Sequence, residues 1–229
     1  MGSLLAGVAH ELNNPLSVVV GRAMMLEGAA VDDVTRTGAQ KIRAAAERCE
    51  RIVRTFLAMA RQRQQQKAAV KLHEIIEASL DVLEYNLQTS GVVVEYDRGI
   101  DIPELLADAD QLHQVFMNLF VNAQQAMVGC TSPRTLHIST RFMNKERCIE
   151  VRVSDTGPGI PAEIRARIFD PYFTTKPTGA GTGVGLSVAL GLVQAHAGTL
   201  TVDCPTTGGT TFTLLLPLVE PEHPMELLA

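Results

Sequence analysis

The chain has 229 residues, enough for one large domain or two modest ones, and 46% of them are hydrophobic, so a real core is within reach. Aromatics make up only 4% and Trp is absent, which leaves Leu, Val, Ile, Ala and Met to build that core. A formal net charge of −5 argues against nucleic-acid binding through phosphate neutralisation, and no apolar run reaches the roughly 20 residues of a membrane helix. Cys49, Cys130, Cys148 and Cys204 form no C-x-x-C pair and have no His cluster nearby. That spacing suits buried thiols in a reducing, cytoplasmic compartment and gives neither a disulfide framework nor a zinc site. The opening "MGSLL" lacks the layout of a signal peptide and enters a helical pattern at once, so a further upstream region is expected.

Residues 3–28 and 33–62 read as two helices. At 100° per residue Leu5, Val8, Leu12, Val19 and Leu26 share one stripe, and Ile42, Cys49, Ile52, Phe56 and Met59 form another. Two short-linked helices with heptad-like seams predict an antiparallel hairpin, completed as a four-helix bundle by a second copy. "RQRQQQK" (61–67) has no apolar period and reads as a linker or the frayed end of the second helix. Beyond it the pattern changes to a helix over 72–90, a strand "GVVVEYD", and a helix over 108–128. The strands "TLHISTRFM" and "CIEVRVSD" follow, then a short helix around 161–168, a helix over 183–197, and the strands "GTLTVD" and "TTFTLLLP". This mixture predicts an α+β sandwich with helices on one face of a mainly antiparallel sheet. The expected domains are 1–65, 70–218 and a tail at 219–229.

Three stretches of the second domain carry chemistry. "VSDTGPGIP" (153–161) ends a strand in Asp155 and follows it with Gly157 and Gly159. A surface turn would account for it, and so would the dinucleotide fingerprint G-x-G-x-x-A, although Pro158 and Pro161 stiffen that turn and no long βαβ unit follows. A third use fits better: a carboxylate at a strand end accepts a hydrogen bond from an exocyclic amine, while glycines let a flat ring lie against backbone. "TGAGTGVGLSVAL" (178–190) runs Gly179, Gly181, Gly183 and Gly185 into an apolar helix, where converging amides and the helix N-terminus make a phosphate cradle. No G-K-[ST], H-R-D or D-F-G occurs, which excludes a P-loop and the Ser/Thr/Tyr kinase fold. Asn118 and Asn122 lie four apart on one helix face beside the stripe Leu112, Val115, Leu119, Ala123 and Ala126, and their carbonyls suit a hard cation such as Mg²⁺.

Taken in order, this set resembles the ATP-binding domain of sensor histidine kinases, within the wider GHKL (Bergerat) family of gyrase, Hsp90 and MutL. Asn118-Leu-x-x-Asn122-Ala is similar to the N box and Asp155-x-Gly157-x-Gly159 to the G1 box. Phe169-x-Pro-x-Phe173 matches the F box, Gly181-x-Gly183-x-Gly185-Leu186 the G2 box, and "GGTTFTLLLP", with Thr210, the closing strand. The resemblance implies Asp155 on the adenine amino group, Asn122 on Mg²⁺ with Asn118 beside it, and the second glycine loop on the phosphates. Lys176, in a lid over Asp170–Thr182, would reach the terminal phosphate of ATP as a point charge.

"HELNNPLS" (10–17) is similar to the H box. By the 100° rule His10 lies almost opposite the Leu5–Val8–Leu12 stripe, facing solvent, and a neutral imidazole is a good nucleophile near pH 7. Glu11 can hold the other ring nitrogen's proton, and Asn14, one turn on, can position a water. Pro15 lacks an N–H and clashes with the Glu11 carbonyl, which makes the helix deformable just past His10. The expectation is a dimeric kinase core that phosphorylates His10 from Mg·ATP and passes the phosphoryl group to an aspartate of a response-regulator receiver domain, with dephosphorylation of that partner as a second activity. A GHKL ATPase driving a conformational change, and a non-catalytic scaffold for a partner, are the alternatives.

Overall fold

The computed structural model describes residues 2–60, 66–131, 133–176, 182–205 and 208–218. The chain divides into two compact units, Met1–Gln65 with Asp170–Val184, and Gln66–Phe169 with Gly185–Ala229.

In the first unit, α1 (Gly2–Ala29) and α2 (Asp33–Ala60) form the expected helical hairpin. Pro15 lies inside α1, which continues through it. The turn is closed by Asp32, whose Oδ1 accepts from the Thr35 amide at 2.7 Å and whose Oδ2 accepts from the Thr35 hydroxyl at 2.7 Å, as a helix N-cap does. Of the predicted seams, Leu5, Val8, Leu12, Ile52, Phe56 and Met59 lie outside the residues whose side chains are described. Ala23, Ala39 and Ala46 are buried, whereas Val19, Leu26, Ile42 and Cys49 are exposed. Small side chains let the two backbones approach, and the large ones turn to the open face of a half-bundle. Beside the alanines, Glu27 accepts from Arg43 Nε and from Gln40 Nε2, both at 3.0 Å, and Arg43 reaches Glu47 at 3.2 Å.

The second unit is a helix layer on a sheet. Its elements are β1 (Ala68–Val70), α3 (Leu72–Thr89), β2 (Val93–Asp97), β3 (Leu105–Ala107), α4 (Ala109–Met127), β4 (Thr135–Met143), β5 (Cys148–Asp155), α5 (Ala162–Arg165), α6 (Gly185–Ala195), β6 (Thr199–Asp203) and β7 (Thr210–Pro217). The main sheet runs β2-β4-β5-β7-β6, antiparallel except for the parallel pair β2–β4. Alternation along β5 and β7 sends Ile149, Val151, Val153, Phe212, Leu214 and Leu216 inward, where Leu112, Phe116, Leu119 and Phe120 of α4 and Leu72 and Ile76 of α3 complete the core. Each such side chain contributes about 1.5–3 kcal/mol on burial.

Three local differences from the sequence expectation stand out. β1 and β3 pair as a separate two-stranded ribbon in stretches where no element was expected. The short helix is a single turn, α5. The last helix begins only at Gly185, because Gly183 has φ +67°, and ends at Ala195, because Ala197 has φ +56° and turns the chain left-handed. Of the four thiols only Cys148 is buried, and burial pushes it upward in pKa; Cys130 and Cys204 are partly exposed.

Candidate functional site: a carboxylate loop and a glycine turn joined by one helix

Asp155 is the last residue of the inward row on β5, so the alternation that buries Ile149, Val151 and Val153 also aims its carboxylate at the helix layer. It is 8% exposed. Its register partner on β7 is Thr210, buried likewise, and Thr210 donates to it from both backbone and side chain. Oδ1 accepts from the Gly157 amide at 2.8 Å. Burial raises the carboxyl pKa above the ordinary Asp value, and the Gly157 and Thr210 hydrogen bonds oppose that rise. The glycines are sterically required here. A β-carbon on Gly157 would lie 2.7 Å from Asp155 Oδ1 and 3.2 Å from Ala126 Cβ, and one on Gly159, at φ +76°, would meet the Gly209 carbonyl at 3.0 Å. The Gly209 amide in turn donates to the Gly157 carbonyl at 2.8 Å, locking the loop to the start of β7.

Helix α4 supplies the amides. Asp108 caps it by accepting from the Gln111 amide at 3.1 Å. Asn118 and Asn122 are partly buried along its flank. Near Asn118 the helix meets the start of α6, where a β-carbon on Gly185 would lie 3.3 Å from Asn118 Oδ1. Two turns on, Ala126 meets Gly157. Asn122 therefore stands midway between the carboxylate loop and the glycine turn, which are separated by about 12 Å along the helix at 1.5 Å per residue. Leu186, next in α6, is partly buried. The F-box residue Phe169 packs edge-on against Phe212 of β7, ring centroids 6.5 Å apart.

The remaining candidate residues belong to the first unit. Gly183 is fixed by close approach, since a β-carbon there would come 2.6 Å from the Tyr172 carbonyl oxygen and 2.7 Å from that of Phe173. Tyr172 itself holds φ +68°. Lys176 is partly buried, which lowers its pKa, and its amide donates to Thr174 Oγ1 at 3.2 Å. Gly181, Gly179 and the centre of the predicted lid, 177–181, lie outside the described residues. His10 and Glu11 lie in α1, but their side chains are outside what the structure describes; Asn14 is exposed. Among the described residues no cluster of three or more His, Cys, Asp or Glu could hold a metal ion, and no helix is long and apolar enough to cross a membrane. Ala126 on the α4 stripe and Gly209 in the closing-strand stretch carry no chemical signal in their residue types, yet their packing fixes the carboxylate loop.

Comparison with known proteins bears on both units. The His Kinase A (phospho-acceptor) domain family matches residues 1–65, and the histidine kinase-, DNA gyrase B- and HSP90-like ATPase family matches residues 107–220. The chain is 36% identical over 219 residues to the sensor histidine kinase ZraS of Escherichia coli (strain K12), covering 95% of this chain and 46% of ZraS. It is 33% identical over 223 residues to the sensory histidine kinase/phosphatase NtrB of Vibrio alginolyticus, covering 94% of this chain and 62% of NtrB. The crystal structure of histidine kinase ThkA in complex with response regulator protein TrrA shares the fold, with a TM-score of 0.68 at 24% identity, over 95% of this chain and 62% of that one. The chain spans about half the length of the curated relatives it matches. With a phospho-acceptor domain followed by an ATP-binding GHKL domain, it belongs to the sensor histidine kinases.

Proposed function

We propose that this chain is a two-component kinase core that moves the γ-phosphoryl group of ATP to His10 and then to an aspartate of a response-regulator receiver domain. The observation that carries the nucleotide site is the placement of Asn122 on α4 between Asp155–Gly157 and Gly185. Adenine would sit at Asp155, its amine donating to the carboxylate beside Thr210, with Gly157 and Gly159 beneath the ring. The phosphates would lie toward Gly181, Gly183, Gly185 and Leu186 at the positive end of α6. Lys176 would meet the terminal phosphate.

Mg²⁺ fits this donor set. Asn122, with Asn118 beside it, would offer the ion a hard amide oxygen without a carboxylate cage. When bound, the ion supplies charge neutralisation on the phosphates. In the transfer, a neutral His10 nitrogen attacks the γ-phosphorus, the bond to the β-phosphate oxygen breaks, ADP leaves, and Glu11 compensates the positive charge on the ring. Asn14 would orient water for a separate phosphatase reaction, in which the water oxygen attacks the phosphoaspartate phosphorus, the aspartyl oxygen leaves and inorganic phosphate is released. A phosphatase activity is printed in the name of the relative NtrB.

The working unit is a homodimer. Val19, Leu26 and Ile42, exposed on the hairpin, supply the apolar face that a second copy would cover. We assign residues 1–65 to dimerisation and phosphotransfer, 70–218 to nucleotide binding and 219–229 to a tail, and place this part of the protein in the cytoplasm. An upstream sensor region would precede it. ThkA, solved with its response regulator, supports a receiver domain as the partner.

Incubation with γ-labelled ATP tests the proposal. The expected label is acid-labile, base-stable and absent in His10→Gln, a variant that still binds nucleotide. Acid-labile label in that variant, or phosphate release to water with no labelled protein, overturns it.

A further inference from the structure

His196 lies just past the end of α6, 4% exposed, with both ring nitrogens in use. Nε2 is 3.0 Å from the Asp108 amide, which can only donate. Nε2 is therefore the acceptor, and the ring hydrogen sits on Nδ1, 2.8 Å from the Leu192 carbonyl. Leu192 is in the last turn of α6, whose carbonyls have no partner within the helix. Asp108 is the residue that caps α4. One imidazole thus ties the C-terminal end of α6 to the N-terminal end of α4.

The two helices run antiparallel, and their other ends meet at Asn118 and Gly185. The two junctions lie about 16 Å apart at 1.5 Å per residue, one a close packing contact and the other this pair of hydrogen bonds. Between them α6 packs on its neighbours with Val188, Ala189 and Val193 buried. Apolar packing is not tied to particular atoms and still lets a helix slide or rotate by a fraction of a turn. Pinned at His196 as well, it holds its amino end in a fixed register against Asn118 and Asn122.

We propose that His196 is a positioning residue for the nucleotide site, setting the register of the phosphate-facing end of α6 against the two asparagines of α4. It rests on the reading of that face as an ATP site. It touches no nucleotide itself and acts through the helix it anchors.

Three variants test it. His196→Gln keeps a carbonyl acceptor near the Nε2 position, whereas His196→Phe and His196→Leu keep bulk and lose the acceptor. Binding of a non-hydrolysable ATP analogue with Mg²⁺ is titrated, and His10 labelling is followed over ATP concentration. The unaltered chain comes first: if it does not bind the analogue, the nucleotide-site reading fails. Given that it binds, the Phe variant should raise Kd and the ATP KM about five- to tenfold, with labelling at saturation within about twofold. The Gln variant should recover most of the affinity, and Leu replaces Phe if Phe does not fold. Combined with Gly185→Ala, the loss should fall well short of the product of the single losses, although sites this far apart ordinarily add. An unchanged Kd in the folded Phe or Leu variant, a Gln variant as weak as Phe, or additive losses would overturn the proposal.

Discussion

Asn118 and Gly185 touch across two helices: a β-carbon at position 185 would stand 3.3 Å from the Asn118 amide oxygen, closer than side chains ordinarily pack. Gly185→Ala should therefore fold, since position 185 opens a helix and Ala is a good helix former there, but Asn118 must yield by a few tenths of an ångström. The expected result is a nucleotide Kd weakened several-fold with little change in the melting temperature. Titration calorimetry beside a thermal scan separates the two. Unaltered affinity would show that the Asn118–Gly185 contact does not shape the site.

Asp155→Asn should weaken ATP binding about 10- to 100-fold, matching the roughly 1.5–3 kcal/mol of a hydrogen bond to a charged group. The pH dependence has a definite sign. Burial raises the folded-state pKa, so this group's stabilisation of the fold is complete below the ordinary Asp value and is lost as pH rises through the raised one. Binding runs the other way, because the adenine amine needs the ionised carboxylate. Affinity should fall on acidification through a window above the ordinary Asp range, and Asp155→Asn should be flat across it. A wild-type profile as flat as the variant's contradicts the assignment.

Much of this was legible in the sequence where chemistry and periodicity coincide. The row Ile149, Val151, Val153, Asp155 announces both a strand and a carboxylate aimed inward at its end. Elements without a period were not legible. "AAV" and "LLA" are three-residue strands with no alternation to find, and they exist only because each supplies the other's hydrogen bonds. The contact within one hairpin was not legible because hydrophobic stripes favour large residues such as Val19, Leu26 and Ile42, which stay exposed on one copy, whereas the two helices bury Ala23, Ala39 and Ala46. His196 was silent for another reason: a lone histidine after an apolar helix gains its role only from Asp108, distant in sequence.

Asn14 should separate two activities. It lies one helical turn beyond His10 and is exposed, placed to aim a water rather than to tune the imidazole. Asn14→Ala should keep His10 labelling within a few-fold and lose most dephosphorylation of a phosphorylated receiver domain, while Glu11→Ala does the reverse. Both are measured with the cognate regulator and purified variants. Loss of labelling in Asn14→Ala with phosphatase intact would invert the roles.

Ala23→Leu probes the hairpin. Ala23 is 1% exposed against α2, so three added carbons must separate the helices, which costs about 1–3 kcal/mol. The hairpin's melting transition should fall by several degrees while nucleotide affinity is unchanged. A variant as stable as the parent would mean that the helices have room between them.

The place of β7 in the sheet bears on how the chain is made. β7 is the last strand in chain order among the described residues, yet it lies between β5 and β6. Until Pro217 has left the ribosome, β6 has no neighbour, β5 has one open side, and Asp155 lacks Thr210 opposite it. The contact of α1 with α2 lies within residues 2–60 and can form long before. Translation therefore passes through an interval with the hairpin formed and the sheet presenting an unpaired strand edge, the state most open to mispairing with another nascent chain. A stop codon ahead of residue 210 would take out an interior strand and strand β6, leaving a hairpin attached to a sheet that cannot close.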